Sequence, residues 1–71
     1  MDNEHNIVAH GPTVPAGGGM LARRTVLRDM GTEYVVHTQV FHENGGTSFS
    51  TGNYFNDWSA AVARFRERMI S

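Results

Sequence analysis

The sequence predicts an α+β fold in the order β-β-β-α: a three-stranded antiparallel sheet with one C-terminal helix packed on one face, behind a flexible N-terminal tail. Three observations carry this. The run Glu33–Glu43, EYVVHTQVFHE, is dominated by β-branched and aromatic residues, which suit a pleated, half-buried surface. Asn44-Gly45 follows it, the pair that tight hairpin turns favour because their central residues take positive φ. Trp58, Val62, Phe65 and Met69 then recur at steps of 4, 3 and 4, which is one stripe of an amphipathic helix.

Residues 1–20 read as the tail. Gly11, Pro12, Pro15 and the run Gly17-Gly18-Gly19 break both helix and strand. The apolar patch Ile7-Val8-Ala9 is too short for a core; it either adds a strand to the sheet or docks on a partner. Residues 21–71 form the domain. Its first strand centres on Thr25, Val26 and Leu27, and a turn through Gly31 leads into the long Glu33–Glu43 strand. The return strand is TSFSTGNYF, residues 47–55.

A two-residue loop at Asn44-Gly45 pairs Val40 with Phe49, Thr38 with Thr51, Val36 with Asn53 and Tyr34 with Phe55. That register puts Tyr34, Val36, Val40, Phe49 and Phe55 under the helix. It leaves Val35, His37, Gln39, Phe41, Ser48, Ser50 and Tyr54 on the opposite face. A three-residue loop mixes the two sets, because side chains alternate with period two.

The helix starts at Asn56 or Asp57, either of which accepts a hydrogen bond from a first-turn N–H. Its stripe of Trp58, Val62, Phe65 and Met69, with Ala61 beside it, is expected to be buried on the sheet. Arg64, Arg66, Glu67 and Arg68 fall mainly on the outer side, where basic residues complement the negative end of the helix.

Six basic residues, all Arg, against seven acidic ones give a net charge of −1. That balance argues against a strongly basic nucleic-acid-binding domain. The absence of cysteine excludes disulfides and thiolate metal sites and favours a cytoplasmic location. No apolar run reaches the ~20 residues of a membrane span, and the polar, acidic start does not read as a secretory signal.

Catalytic chemistry finds little purchase. His37 and His42 are five apart on one strand and so point to opposite faces. His5 and His10 lie in the tail, and no metal-ligand spacing is present. Ser48, Ser50 and Ser59 lack the setting of a nucleophile elbow. The Gly-rich segment GPTVPAGGGM lacks the ending of a phosphate loop. No catalytic residue, metal or cofactor is therefore expected.

The segment STGNYFNDWSAAVARFRERM resembles the ending of many small phage and mobile-element accessory proteins, through Gly52, Tyr54, Phe55, Ala61 and Phe65. The resemblance implies an inhibitor of a host enzyme or of a CRISPR or restriction complex. The β-β-β-α order is also similar to AP2-type domains and the amino-terminal domains of some phage integrases, with Gly52, Phe55, Ala60 and Ala61 carrying the likeness. Those domains read DNA with the sheet, which implies DNA contacts from Arg23, Arg24 or Arg28, His37 and Gln39.

The function expected is non-catalytic binding of a protein partner, or self-association as a homodimer, through the face of Val35, His37, Gln39, Phe41, Ser48, Ser50 and Tyr54. The alternative is a DNA-binding module using the same face, with Arg23, Arg24 and Arg28 on the nucleic acid. A third is a small enzyme or ligand carrier using His37 and Tyr54.

Overall fold

A computed structural model of the chain describes residues 6–50 and 52–70. The elements are β1 (Ile7–His10), β2 (Ala22–Asp29), β3 (Tyr34–Phe41), β4 (Thr47–Phe49), β5 (Asn53–Phe55) and α1 (Trp58–Ile70). The strands make one antiparallel sheet in the order β1-β2-β3-β4, with β5 pairing β3 beyond the end of β4. The α+β class and the C-terminal helix are as expected; the sheet has five strands rather than three. Extents of 35 × 31 × 17 Å describe a plate two layers thick.

The first added strand lies within the expected tail. Ile7–His10 pairs with β2, setting Ile7 opposite Arg28 and His10 opposite Val26. Gly11 N donates to the Thr25 carbonyl at 2.9 Å, and Val14 exchanges bonds of 2.7 and 3.0 Å with Arg23. The cause is the outer flank of β2, whose row of backbone groups offers a template to any nearby extended segment. Ala9 is the side chain that β1 adds to the core. The part of the expected tail at residues 1–5 lies outside the described residues.

The second difference is a slip in the return strand. At the hairpin, Gly45 N donates to the His42 carbonyl at 3.0 Å, and His42 N donates to the Gly46 carbonyl at 2.8 Å. Glu43-Asn44-Gly45 is thus a three-residue loop, with Gly45 at φ 91° where a side chain would be strained. This sets Val40 opposite Ser48 and Gln39 opposite Phe49. Beyond it, Val36 faces Asn53 and Tyr34 faces Phe55, as expected. Four steps from Phe49 to Asn53 therefore match three from Gln39 to Val36, which is a one-residue bulge. Two face assignments reverse: Phe49 moves to the side away from the helix, and Ser48 to the helix side. The expected Thr38–Thr51 pair involves Thr51, outside the described residues.

Asp57 caps α1, its Oδ2 accepting from Ala60 N at 3.0 Å. The core is Leu27, Val36, Ala61 and Phe65, with Ala9, Tyr34, Phe55 and Val62 packed around it. The stripe is buried only at its middle. Trp58 is 48% exposed, edge-on to Tyr34 at 5.2 Å, and Met69 is 37% exposed. The ends of α1 lie at the margins of the sheet, Trp58 against Tyr34 and Met69 against Gly11 just beyond β1.

Phe65→Ala is therefore expected to destabilise by about 3–5 kcal/mol. Trp58→Ala should lose only about 1–2 kcal/mol, for half a burial and one aromatic pair. Equal losses in urea denaturation would contradict this packing. A Cβ on Gly52 would stand 2.8 Å from Val35 Cγ1 and 2.9 Å from the Val36 carbonyl oxygen, at a strand that cannot retreat. Gly52→Ala is expected to destabilise by about 1–3 kcal/mol, read from the same denaturation midpoint.

Candidate functional site

The sheet face away from α1 is built by alternation along each strand. By register it carries Ile7 and His10 of β1, Arg24, Val26 and Arg28 of β2, and Val35, His37, Gln39 and Phe41 of β3. Phe49 of β4 and Tyr54 of β5 complete it. No strand contributes an acidic residue to this face.

The face was expected to lie bare, but its own long side chains roof it. Phe49 crosses toward β2 and stacks on His37, ring centroids 4.6 Å apart and planes 13° apart. The Arg28 guanidinium lies 4.5 Å from the centre of the same ring. Arg24 sits 5.5 Å from the Phe41 ring centre and donates through Nε to Gln39 Oε1 at 2.7 Å. Beneath this layer Val26, Val35 and His37 are buried, and Gln39 is fully so.

Of the residues expected to bind a partner, Phe41 is half-buried at the rim and Tyr54 is open, 62% exposed. Val35, His37 and Gln39 form the floor. Ser48 lies on the helix side and bonds His42 Nε2 through Oγ at 2.8 Å. Ser50 belongs to the bulge, its Oγ accepting from Thr38 N at 3.1 Å. Of the expected DNA contacts, Arg24 and Arg28 share the face, whereas Arg23 lies on the helix side opposite Val40. Phe49 was missed, since a one-residue change of register decides its side; the three-residue form of the hairpin was the signal that could have found it.

Polar groups are left over on this face. Arg28 Nε, His37 Nε2 and Gln39 Nε2 are buried side-chain atoms without hydrogen-bond partners, and all three residues sit here. Arg28 meets no carboxylate among the described residues; the ring of Phe49 is what supports its charge. No three His, Asp or Glu side chains converge as a metal site among the described residues. No helix there is long and apolar enough to cross a membrane.

Comparison of the chain with protein-family models, with curated proteins and with solved structures finds no match. The functional reading therefore rests on the geometry of this face.

Burial pushes the His37 pKa below its ordinary value of 6.5, and the nearby Arg28 and Arg68 charges push the same way. The 3.2 Å bond from Nδ1 to the Ser50 carbonyl opposes them without reversing the shift. Between the lowered folded pKa and 6.5 the unfolded chain binds more protons, so stability rises with pH across that window. Acidification from about pH 7.5 to about pH 5.5 is expected to lower the urea midpoint, and His37→Gln should flatten that dependence. A midpoint that falls equally in both proteins would assign the effect to other groups.

Proposed function

We propose that the protein is a non-catalytic binding module whose sheet face docks on a carboxylate-rich surface of a partner protein. One observation carries the reading: Arg24 and Arg28 are spread over Phe41 and Phe49 on a face with no acidic strand residue. Arg and Tyr are among the residues that most often anchor protein interfaces, and Arg28, stacked on the Phe49 ring, presents a charge that a carboxylate complements. Tyr54 supplies the exposed aromatic beside them.

Charge also bears on the choice between a foreign partner and a second copy. An isologous dimer through this face sets two cationic layers against each other, which costs rather than stabilises. A foreign, acidic protein fits better. The resemblance of Gly52, Tyr54, Phe55, Ala61 and Phe65 to phage accessory proteins extends the proposal to modulation of a host protein.

A second reading has its own support. Arg24 and Arg28, two alternations apart on β2, could meet phosphates with the aromatics between them. Salt separates the two, because each phosphate neutralised adds about one unit to the salt slope.

Labelled protein titrated with an acidic peptide is expected to shift the Gln39 side-chain amide and the Tyr54 and Phe49 backbone amides. Arg28→Glu should abolish those shifts, and Tyr54→Ala should weaken binding while moving the unfolding midpoint by no more than about 0.5 kcal/mol. Absence of acidic-peptide binding, with steeply salt-dependent binding of duplex DNA at the same amides, would replace the first reading by the second.

A further inference from the structure

The helix side of the sheet holds a cavity that the proposed docking face does not use. α1 runs from Trp58 against Tyr34 to Met69 against Gly11, leaving the sheet around Thr25 and Thr38 uncovered. The segment from Gly11 to Val14, tied to β2, walls one side of this gap, and the C-terminal half of α1 walls the other. The resulting trough encloses about 640 Å³. Thr25 and Thr38, opposite each other across β2 and β3, form its floor. Arg23, Arg64, Arg68 and Asn53 stand around them.

The guanidiniums are held in place by hydrogen bonds within the fold. Arg68 donates to the Val36 carbonyl and to Thr38 Oγ1, both at 3.0 Å. Arg64 Nε donates to Asn53 Oδ1 at 3.1 Å. Arg23 Nη1 donates to the Leu21 carbonyl at 3.2 Å, and Arg23 meets no carboxylate among the described residues. Glu67 stands 3.7 Å from Arg64 Nη1, but this is an exposed i,i+3 pair that water screens. Three cationic forks thus converge on a hydroxyl-floored hollow with their orientation already set. The C-terminal dipole of α1 opposes an anion there by about half a charge, less than the charge that Arg23 alone brings.

We propose that this trough binds the phosphate group of a small organic phosphate of nucleotide size. Planar guanidiniums match phosphate oxygens in pairs, and prior positioning lowers the entropy lost on binding. The volume exceeds what a bare phosphate fills and lies within the range of small-ligand sites. Pro12, Val14 and Met69 supply apolar wall for the organic part. The trough and the docking face are on opposite sides of one sheet, so either can fail without the other.

Calorimetry on the full chain with ADP, inorganic phosphate and citrate, together with amide-shift mapping, tests the proposal. ADP is expected to bind saturably, more tightly than inorganic phosphate, with shifts at Thr25, Thr38, Asn53 and Arg64. The double variant R23Q/R64Q should weaken ADP by about tenfold or more, the loss expected when charge-assisted bonds are removed. Tighter ADP than phosphate assigns the site to organic phosphates; equal binding of ADP, phosphate and citrate overturns the proposal in favour of a general anion patch. No saturable binding at millimolar ADP, or shifts confined to Gln39, Phe49 and Tyr54, would also overturn it. So would duplex DNA binding at the trough with ADP inert. The wild-type shift map decides the matter even if the double variant does not fold.

Discussion

The structure depends on one extra residue between Phe49 and Asn53. The hairpin loop sets the register of β4, and core packing of Phe55 and Tyr34 sets that of β5; the two differ by one. Neither constraint yields easily. Gly45 already sits in the conformation that the three-residue loop requires, and turning Phe55 outward would remove a large side chain from a core built around four buried residues. The mismatch is absorbed in the stretch between them, where Ser50 Oγ caps Thr38 N and Gly52 lets the chain pass close over Val35, Val36 and His37.

Both surfaces bear on that mismatch. The three-residue loop turns Phe49 toward the face opposite the helix, where the ring covers His37 and supports Arg28. A sheet face without a helix thus acquires a lid from its own strands, and a depressed histidine pKa comes with the burial. On the other side, Arg68 reaches from α1 to the Val36 carbonyl and the Thr38 hydroxyl, at the stretch of β3 where β4 gives way to β5. The same bond fixes the end of the helix and one wall of the trough. The charge of the whole chain, −1, conceals this sorting. Arg24 and Arg28 collect on one face and Arg23, Arg64 and Arg68 at the trough, while Asp57 and Glu67 lie on or beside the helix.

Much of the frame was legible in the residues. The β-branched run at Tyr34–Phe41 is β3, the Asn-Gly pair lies in the hairpin loop, and Asp57 caps a helix whose central stripe packs on the sheet. The pairs Val36–Asn53 and Tyr34–Phe55 were legible too. The exposure of Trp58 was not, because periodicity says which side of a helix is apolar and nothing about how far the sheet extends beneath it. Strand β1 was visible as an apolar patch, yet its pairing depended on the outer flank of β2 being free to take it. Of the candidate face, Val35, His37, Gln39, Phe41 and Tyr54 were placed correctly; Ser48 and Phe49 exchanged sides.

By itself, then, the sequence determined the class of fold, the order of its main elements and the middle of the helix stripe, Ala61, Val62 and Phe65, as what packs on the sheet, since these follow from local propensity and periodicity. The side to which Phe49 points, the roof over His37 and Gln39, and the gathering of Arg23, Arg64 and Arg68 were decided only by the tertiary structure. The physical reason is the period-two geometry of a strand. An Asn-Gly pair accommodates loops of two or three residues, and the choice between them inverts every side chain up to the next bulge.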